Sequence, residues 1–403
     1  MKKSTLISGI LLLSFFVFQA ANAQFSNAEM SKLIKEQFSF AANQYKVLNS
    51  NVPADMMPKT FNQKTDKVEV SNTKWWCSGF FPGSLLYIYE HTADKSVLEI
   101  ANQRLAILEK EKHYTGNHDL GFMMYCSFGN AYRLFKREED HKTIDTAAAS
   151  LMTRYRPSIE SIQSWNKNKN FNCPVIIDNM MNLELLSWVS DHGGDPMAKK
   201  IAITHANTTI KNHYRPNYSA WHVIDYDLDT KQVIGKKNWQ GSADSSSWAR
   251  GQAWGLYGFT MMYRMANDVT YLEQARNIAA YLLNHPNMPT DKIPYWDYNA
   301  PGIPNALKDA SAASIMASAL LELAQFTKGK EKQQYIETAR KIIVTLASDE
   351  YRAKAGSNGG FLIKHGVGHL LGNSEVDAPL TYGDYYFLEA MHRYQAWVLK
   401  EKI

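Results

Sequence analysis

The sequence predicts an all-α fold: a single-domain (α/α)6 barrel, in which six helical hairpins close into a toroid. Three observations point there. About a dozen stretches carry apolar residues at helical spacing, and almost none alternates as a strand does. Ser78, Asp119, Asp178, Ser246, Asp309 and Asp384 each precede a helix rich in aromatic, Ala, Gly or Met residues. Past the first pair these positions recur every 60 to 75 residues or so, one hairpin per interval. An open α-solenoid is the structural rival.

The elements follow in order. Met30, Leu33, Ile34, Phe38, Ala41 and Tyr45 predict a first helix over 27–48. The polar stretch 49–74 reads as loop, and Trp75 to Gly83 leads into a helix ending near His91. Helices are expected over 95–112, 119–136 and 140–155, with 156–173 as connection. Asp178 opens the next, to about His192. His192-Gly193-Gly194-Asp195-Pro196 then breaks and restarts the chain, with Asp195 as N-cap and Pro196 in the first turn. Trp221–Tyr226 and Lys231–Ile234 form a small hairpin over Asp227-Leu228-Asp229-Thr230. Helices over 248–265, 271–285, 309–326, 330–346 and 384–399 complete the set. The long loops all precede the less polar helices, which places loop chemistry at one rim of a barrel.

Residues 1–23 have the form of a secretory signal. Lys2 and Lys3 are the basic end, Leu6 to Phe18 the apolar run, and Ala21-Asn22-Ala23 the cleavage site. The run is too short for an ordinary membrane span, and no second one follows. A mature chain of residues 24–403, exported to the periplasm, is the expectation. Removing Lys2 and Lys3 takes the formal charge from +5 to +3. This mild balance allows an anionic substrate, and no dense Lys/Arg block suggests nucleic acid. Cys77, Cys126 and Cys173 are odd in number and set among apolar residues, as buried free thiols would be. No HExxH or other metal spacing, Walker loop or dinucleotide fingerprint occurs.

Two aspartates stand out. Asp178 lies between the apolar run Pro174–Ile177 and an amphipathic helix. Asp119 follows His118 and precedes Leu120-Gly121-Phe122-Met123-Met124-Tyr125. Taken alone, each reads more readily as a helix cap. Together on inner helices, two close carboxyls cannot both ionise easily, so one pKa rises and that group can act as an acid. Helix N-termini favour the anion and oppose this. The run Trp239 to Trp254 interleaves indoles with hydroxyls, amides and Arg250. Indole faces suit sugar C–H surfaces and guanidinium suits carboxylate; a capped core helix fits the same residues. His222 in the hairpin is a third candidate, although a lone His is more often structural. Gly251 and Gly255 read as close helix contacts.

In order and spacing, these segments resemble the unsaturated glucuronyl hydrolases of glycoside hydrolase family 88. The matching stretches are Trp76–Gly83, His118–Phe122, Ile177–Asn182, Asp244–Trp254, Lys308–Ala313, Glu375–Leu380 and Tyr382–Tyr386, across nearly the whole mature chain. The resemblance implies the (α/α)6 barrel, no metal or organic cofactor, and oligosaccharide substrates left by polysaccharide lyases. These end in a 4,5-unsaturated uronic acid, and the chemistry is hydration of a vinyl ether. It further implies that Asp178 protonates C4 and helps water add at C5, while Asp119 holds the ring and influences Asp178. His222 and Gln240 match positions near substrate and water. Trp76, His118, Trp248, Arg250 and Trp254 match positions that bind the sugar, Arg250 near its carboxylate. The loop Lys364–Leu370 lacks the serines with which relatives read sulfate. The sequence leaves the oligomeric state undefined. The rivals are an unsaturated rhamnogalacturonyl hydrolase acting on pectin fragments, which Gln252-Ala253 disfavours, and a non-catalytic glycan-binding protein.

Overall fold

Short polar side chains start most of the outer helices. In the computed structural model, which describes residues 25–403, Ser26 and Glu29 close a capping box on α1 (Asn27–Ser50). The signal sequence expected over 1–23 lies outside the described residues. The chain continues through α2 (Phe80–Thr92) and α3 (Lys95–Leu108), which Asp94 caps. A π-helical segment, Gly121–Gly129, runs into α4 (Asn130–Phe135), followed by α5 (Glu138–Met152). A 3-10 turn, Ile177–Asn182, leads into α6 (Leu183–Asp191), and Asp195 caps α7 (Pro196–His213) with Pro196 in its first turn, as expected. Next come α8 (Ala249–Ala266) and α9 (Val269–Leu283), then α10 (Ala310–Leu323) and α11 (Gly329–Leu346). Last is α12 (Thr381–Arg393), extended by a π-helical turn, Tyr394–Leu399.

The six inner helices close a ring. α2 packs on the Gly121–Gly129 segment, that segment on α6, α6 on α8, α8 on α10, α10 on α12, and α12 back on α2. The outer helices lie between solvent and this ring, and their side chains divide accordingly. α11 buries only one stripe, Tyr335, Thr338, Ala339, Ile342, Ile343 and Leu346, whereas every residue of α10 is buried. The ring is closed, so the (α/α)6 barrel stands and the open solenoid does not.

Small antiparallel sheets decorate the rim. β1 (Met57–Asn62) pairs with β2 (Lys67–Ser71), inside the stretch expected to be loop. β3 (Tyr155–Arg156) pairs with β4 (Ser161–Ile162), taking up the last residue of the expected helix and part of the expected connection. β5 (Cys173–Ile176) joins the predicted hairpin of β6 (Val223–Tyr226) and β7 (Val233–Lys237), with β6 in the middle. β8 (Gly366–His369) pairs with β9 (Ser374–Ala378). Polar sequence hid β1 and β2 because both lie on the barrel rim with water on one side. Asp384 also departs from expectation. It lies within the first turn of α12 instead of ahead of it, and accepts the Leu362 and Ile363 N–H groups at 2.9 and 3.0 Å. Of the described residues, no helix is long and apolar enough to cross a membrane.

Candidate active site

Neither Asp119 nor Asp178 caps its helix. No side-chain cap bond is present at the start of the Gly121–Gly129 segment or of the Ile177–Asn182 turn. Capping falls instead to Asp94, Asp195, Asp268 and Asp309, each of which accepts the N–H two residues on. The two aspartates are therefore free of the structural task that could explain them.

Backbone contacts bring them together. Gly121 lies so close to the second aspartate's element that a Cβ there would meet Asn182 Cα at 2.5 Å. Asn182 Oδ1 in turn accepts the Phe122 N–H at 3.0 Å. The three-stranded sheet adds His222. Ile176 pairs with Val223, and the Ile177 N–H donates to the His222 carbonyl at 3.0 Å, so Asp178 emerges beside the imidazole. From behind, Gly251 of α8 fits against the Ile177 side chain, where a Cβ would sit 3.3 Å away. This is the close approach its sequence suggested.

Burial sets the electrostatics. Loss of water pushes Asp119 up to about 8; the Asp178 charge adds to this and Arg154 opposes it. Asp178 is pushed up to about 6, again by burial first, with Arg250, its own backbone and the Trp254 indole N–H pulling back. Between those values the pair holds one proton. His222 stays neutral, held well below the usual imidazole range by burial and then by Arg250. Its Nδ1 accepts the Gln240 N–H at 3.2 Å, so the ring proton sits on Nε2, 3.6 Å from Asp178 Oδ2. Asp178 Oδ2, His222 Nε2 and Trp254 Nε1 are all buried; the indole N–H is near enough to lower the Asp178 carboxyl, yet none of the three closes a hydrogen bond of ordinary length. Three unsatisfied polar atoms converging on one point are what a substrate and a water would satisfy.

The other expected residues gather around this point. His118 is buried, with Nε2 3.2 Å from Asp119 Oδ1 and its N–H on the Ser164 carbonyl at 3.0 Å. It braces Asp119. Trp248 lies between the His222 ring, 4.6 Å between centroids, and the Arg250 guanidinium, 4.6 Å from its ring centre. Trp254 is fully buried and meets Phe122 at 5.1 Å. Trp76 is half-open, with Phe122 at 5.4 Å and Tyr382 at 4.8 Å. Arg250 spends its amino groups inside the protein: Nη1 on Asp309 at 3.1 Å and the Val367 carbonyl at 2.5 Å, Nη2 on the Gly368 carbonyl at 2.7 Å and Gln240 Oε1 at 3.0 Å. It thereby orients the Gln240 amide and anchors β8, while its charge still reaches Asp178.

Sequence reading missed Asp309 as the partner of Arg250 and Arg154 as the cation behind Asp119. Arg154 holds the Thr115 and Gln163 carbonyls, each at 2.7 Å. Neither pairing leaves a local signal, since the partners lie far apart in the chain.

A helical toroid with two buried, electrostatically coupled carboxyls walled by indoles defines the class, a carbohydrate-active enzyme. Comparison with known proteins defines the family. The model of Glycosyl Hydrolase Family 88 matches residues 52–398, and the chain belongs to that family. It is 40% identical over 403 residues, 99% of this chain and 100% of the other, to the unsaturated glucuronyl hydrolase of Formosa agariphila. It is 30% identical to the unsaturated chondroitin disaccharide hydrolase of Streptococcus agalactiae, over 85% of this chain and 86% of that one. The crystal structure of an unsaturated glucuronyl hydrolase specific for heparin superimposes with a TM-score of 0.88 at 42% identity, covering 92% of this chain and 99% of the other.

Proposed function

We propose that this glycoside hydrolase releases a 4,5-unsaturated glucuronic acid from the non-reducing end of glycosaminoglycan-type oligosaccharides, and that Asp178 is its general acid and base. The convergence of Asp178 Oδ2, His222 Nε2 and Trp254 Nε1, buried and unsatisfied, supports this reading most directly. Relatives described as acting on chondroitin disaccharides and on heparin support the substrate class.

In the reaction, Asp178 gives its proton to C4 of the vinyl ether, and positive charge develops at C5 and the ring oxygen. Water adds at C5 and returns a proton to the Asp178 carboxylate, so the acid is regenerated. The C5 hemiketal opens to a ketone, and the hemiacetal left at C1 expels the remaining sugar as an alcohol. No bond to C1 is made by the enzyme, so carboxyl separation does not set stereochemistry here. His222, neutral with its proton on Nε2, steadies the Asp178 carboxylate once the proton has left. Gln240, with Oε1 held by Arg250, offers its amide N–H groups to the water or the sugar. Asp119, still protonated when Asp178 ionises, donates to a sugar hydroxyl. Trp76, Trp248 and Trp254 form the apolar walls, His118 supports Asp119, and Arg250 contributes a field felt by the substrate carboxylate.

Incubation with unsaturated disaccharides tests the proposal through loss of the absorbance of the conjugated double bond. Heparin-type, chondroitin and hyaluronan products are the expected substrates. Turnover confined to pectin-derived rhamnogalacturonyl disaccharides would overturn the assignment. Export to the periplasm, proposed from residues 1–23, is checked by cell fractionation.

A further inference from the structure

Asp119 and Asp178 come from segments far apart in the chain, and Ser164 is bonded to both. Its carbonyl accepts the N–H of His118, the residue before Asp119, at 3.0 Å. Its own N–H donates to the Pro174 carbonyl at 2.8 Å, and its Oγ accepts the Ile176 N–H at 2.9 Å, both on the strand that leads to Asp178. The same Oγ lies 3.4 Å from His118 Nδ1. Ser164 is fully buried. Its neighbours fix the segment further: Trp165 bridges to Asn117, and the Gln163 carbonyl takes Arg154 Nε at 2.7 Å. The backbone bonds are open to any residue here, so the hydroxyl is what asks for a role.

The direction of its proton supplies one. The hydroxyl has one proton to give, and the Ile176 N–H occupies only a lone pair. Among the described residues the acceptor in reach of that proton is His118 Nδ1. Burial keeps the imidazole neutral, down to about 3. A neutral ring that accepts at Nδ1 carries its own proton on Nε2, and Nε2 faces Asp119 Oδ1 at 3.2 Å. Oδ1 therefore meets a donor, and the acidic proton of Asp119 is left to Oδ2. The Asp119 side chain is still 14% exposed, so that proton is open to a substrate hydroxyl. In the opposite tautomer Nε2 would itself accept the Asp119 proton and take the bond meant for the sugar. Asn179, anchored through Nδ2 on the Ile162 carbonyl at 2.8 Å, also acts on the ring and favours protons on it. Arg154 acts on both His118 and Asp119, and Asp178 on Asp119.

We propose that Ser164 is a positioning residue: its hydroxyl fixes the His118 tautomer, and through it the direction in which Asp119 presents its proton to the sugar. The inference rests on the function proposed above and deepens it.

The test reads tautomer and kinetics on the intact protein. With 15N-labelled histidine, the His118 resonances, assigned by their loss in His118→Gln, should show a proton on Nε2 and none on Nδ1 in wild type. Ser164→Ala removes the hydroxyl donor. A population with the proton on Nδ1 should then appear, and kcat/KM per folded molecule on unsaturated disaccharides should fall about tenfold, as the Asp119 hydrogen bond to substrate is lost. Ser164→Thr keeps a hydroxyl and should restore both. A wild-type ring protonated on Nδ1 overturns the proposal with no variant needed. So does Ser164→Ala if tautomer and kcat/KM do not move together, or if neither moves; a merely structural serine would lower the melting temperature and leave both as they are. If wild type turns over no unsaturated disaccharide, the functional reading has failed, and the wild-type tautomer still decides the role of Ser164.

Discussion

The two ends of the barrel differ in how their charges are partnered. At the C-terminal ends of the inner helices a cavity of about 390 Å3 is lined by Tyr257, Arg264, Glu322, Glu389, Arg393 and other polar and aromatic residues. There, each charge has a partner. Arg264 bonds Glu184 and Glu322, each at 2.7 Å. Arg393 reaches Glu322 at 3.0 Å and the Tyr257 hydroxyl at 2.7 Å, and Glu389 accepts from Ser318 at 2.6 Å. At the N-terminal ends, Asp178, His222 and Trp254 leave buried atoms without partners. This cavity is thus at the wrong end for the proposed chemistry. What separates a site from a structural network is unsatisfied bonding capacity rather than cavity size or charge.

That contrast breaks most sharply at Asp178. Asp178→Asn should lower kcat about a thousandfold while binding is kept and the fold is not weakened, because a proton donor is lost where no structural bond exists. Steady-state kinetics beside calorimetry would show it. The opposite pattern is expected at the other end. Arg393→Met leaves Glu389 without its cation and takes one of two from Glu322, and should destabilise the fold by about 3–5 kcal/mol in urea titrations. Its kcat per folded molecule should change little, since the reacting groups lie at the other end.

Within the pair, Asp119→Asn should cost about a hundredfold in kcat/KM through lost positioning. Wild-type kcat/KM should fall as pH rises through about 6, where Asp178 gives up its proton. The midpoint should stay there in Asp119→Asn, because Asp119 is already uncharged at that pH. The smallest effect is on stability. Both carboxyls have folded-state pKa values raised above 3.8. Their burial is therefore harmless below about pH 4, and stability falls as pH rises through about 6 and then 8. Asp178→Asn should melt above wild type at pH 8 and with it at pH 4.

The sequence made parts of this arrangement legible and hid others, for physical reasons. Asp119 and Asp178 were visible because each stood at a helix start beside apolar runs, and the cap reading was the only obstacle. The structure removes it, since neither side chain caps. The β6–β7 hairpin showed as two short apolar runs around a turn, but β5 did not, because Cys173–Ile176 finds its partner some 50 residues later. The π-helical start after Asp119 left no mark in the apolar spacing, which reads as an ordinary helix. Arg250 was legible as important but not in its contacts. Its bonds to Asp309, Val367 and Gly368 join α8 to the cap of α10 and to β8, which only the closed ring brings together.

Delivery of a proton to the alkene carbon can be followed directly by running the reaction in D2O and reading the first turnovers by NMR. Deuterium should enter C4 on a single face in wild type, and Asp178→Asn should slow its entry in step with turnover. A product with no deuterium at C4, and with the oxygen of water attached at C1, would contradict hydration and the role assigned to Asp178.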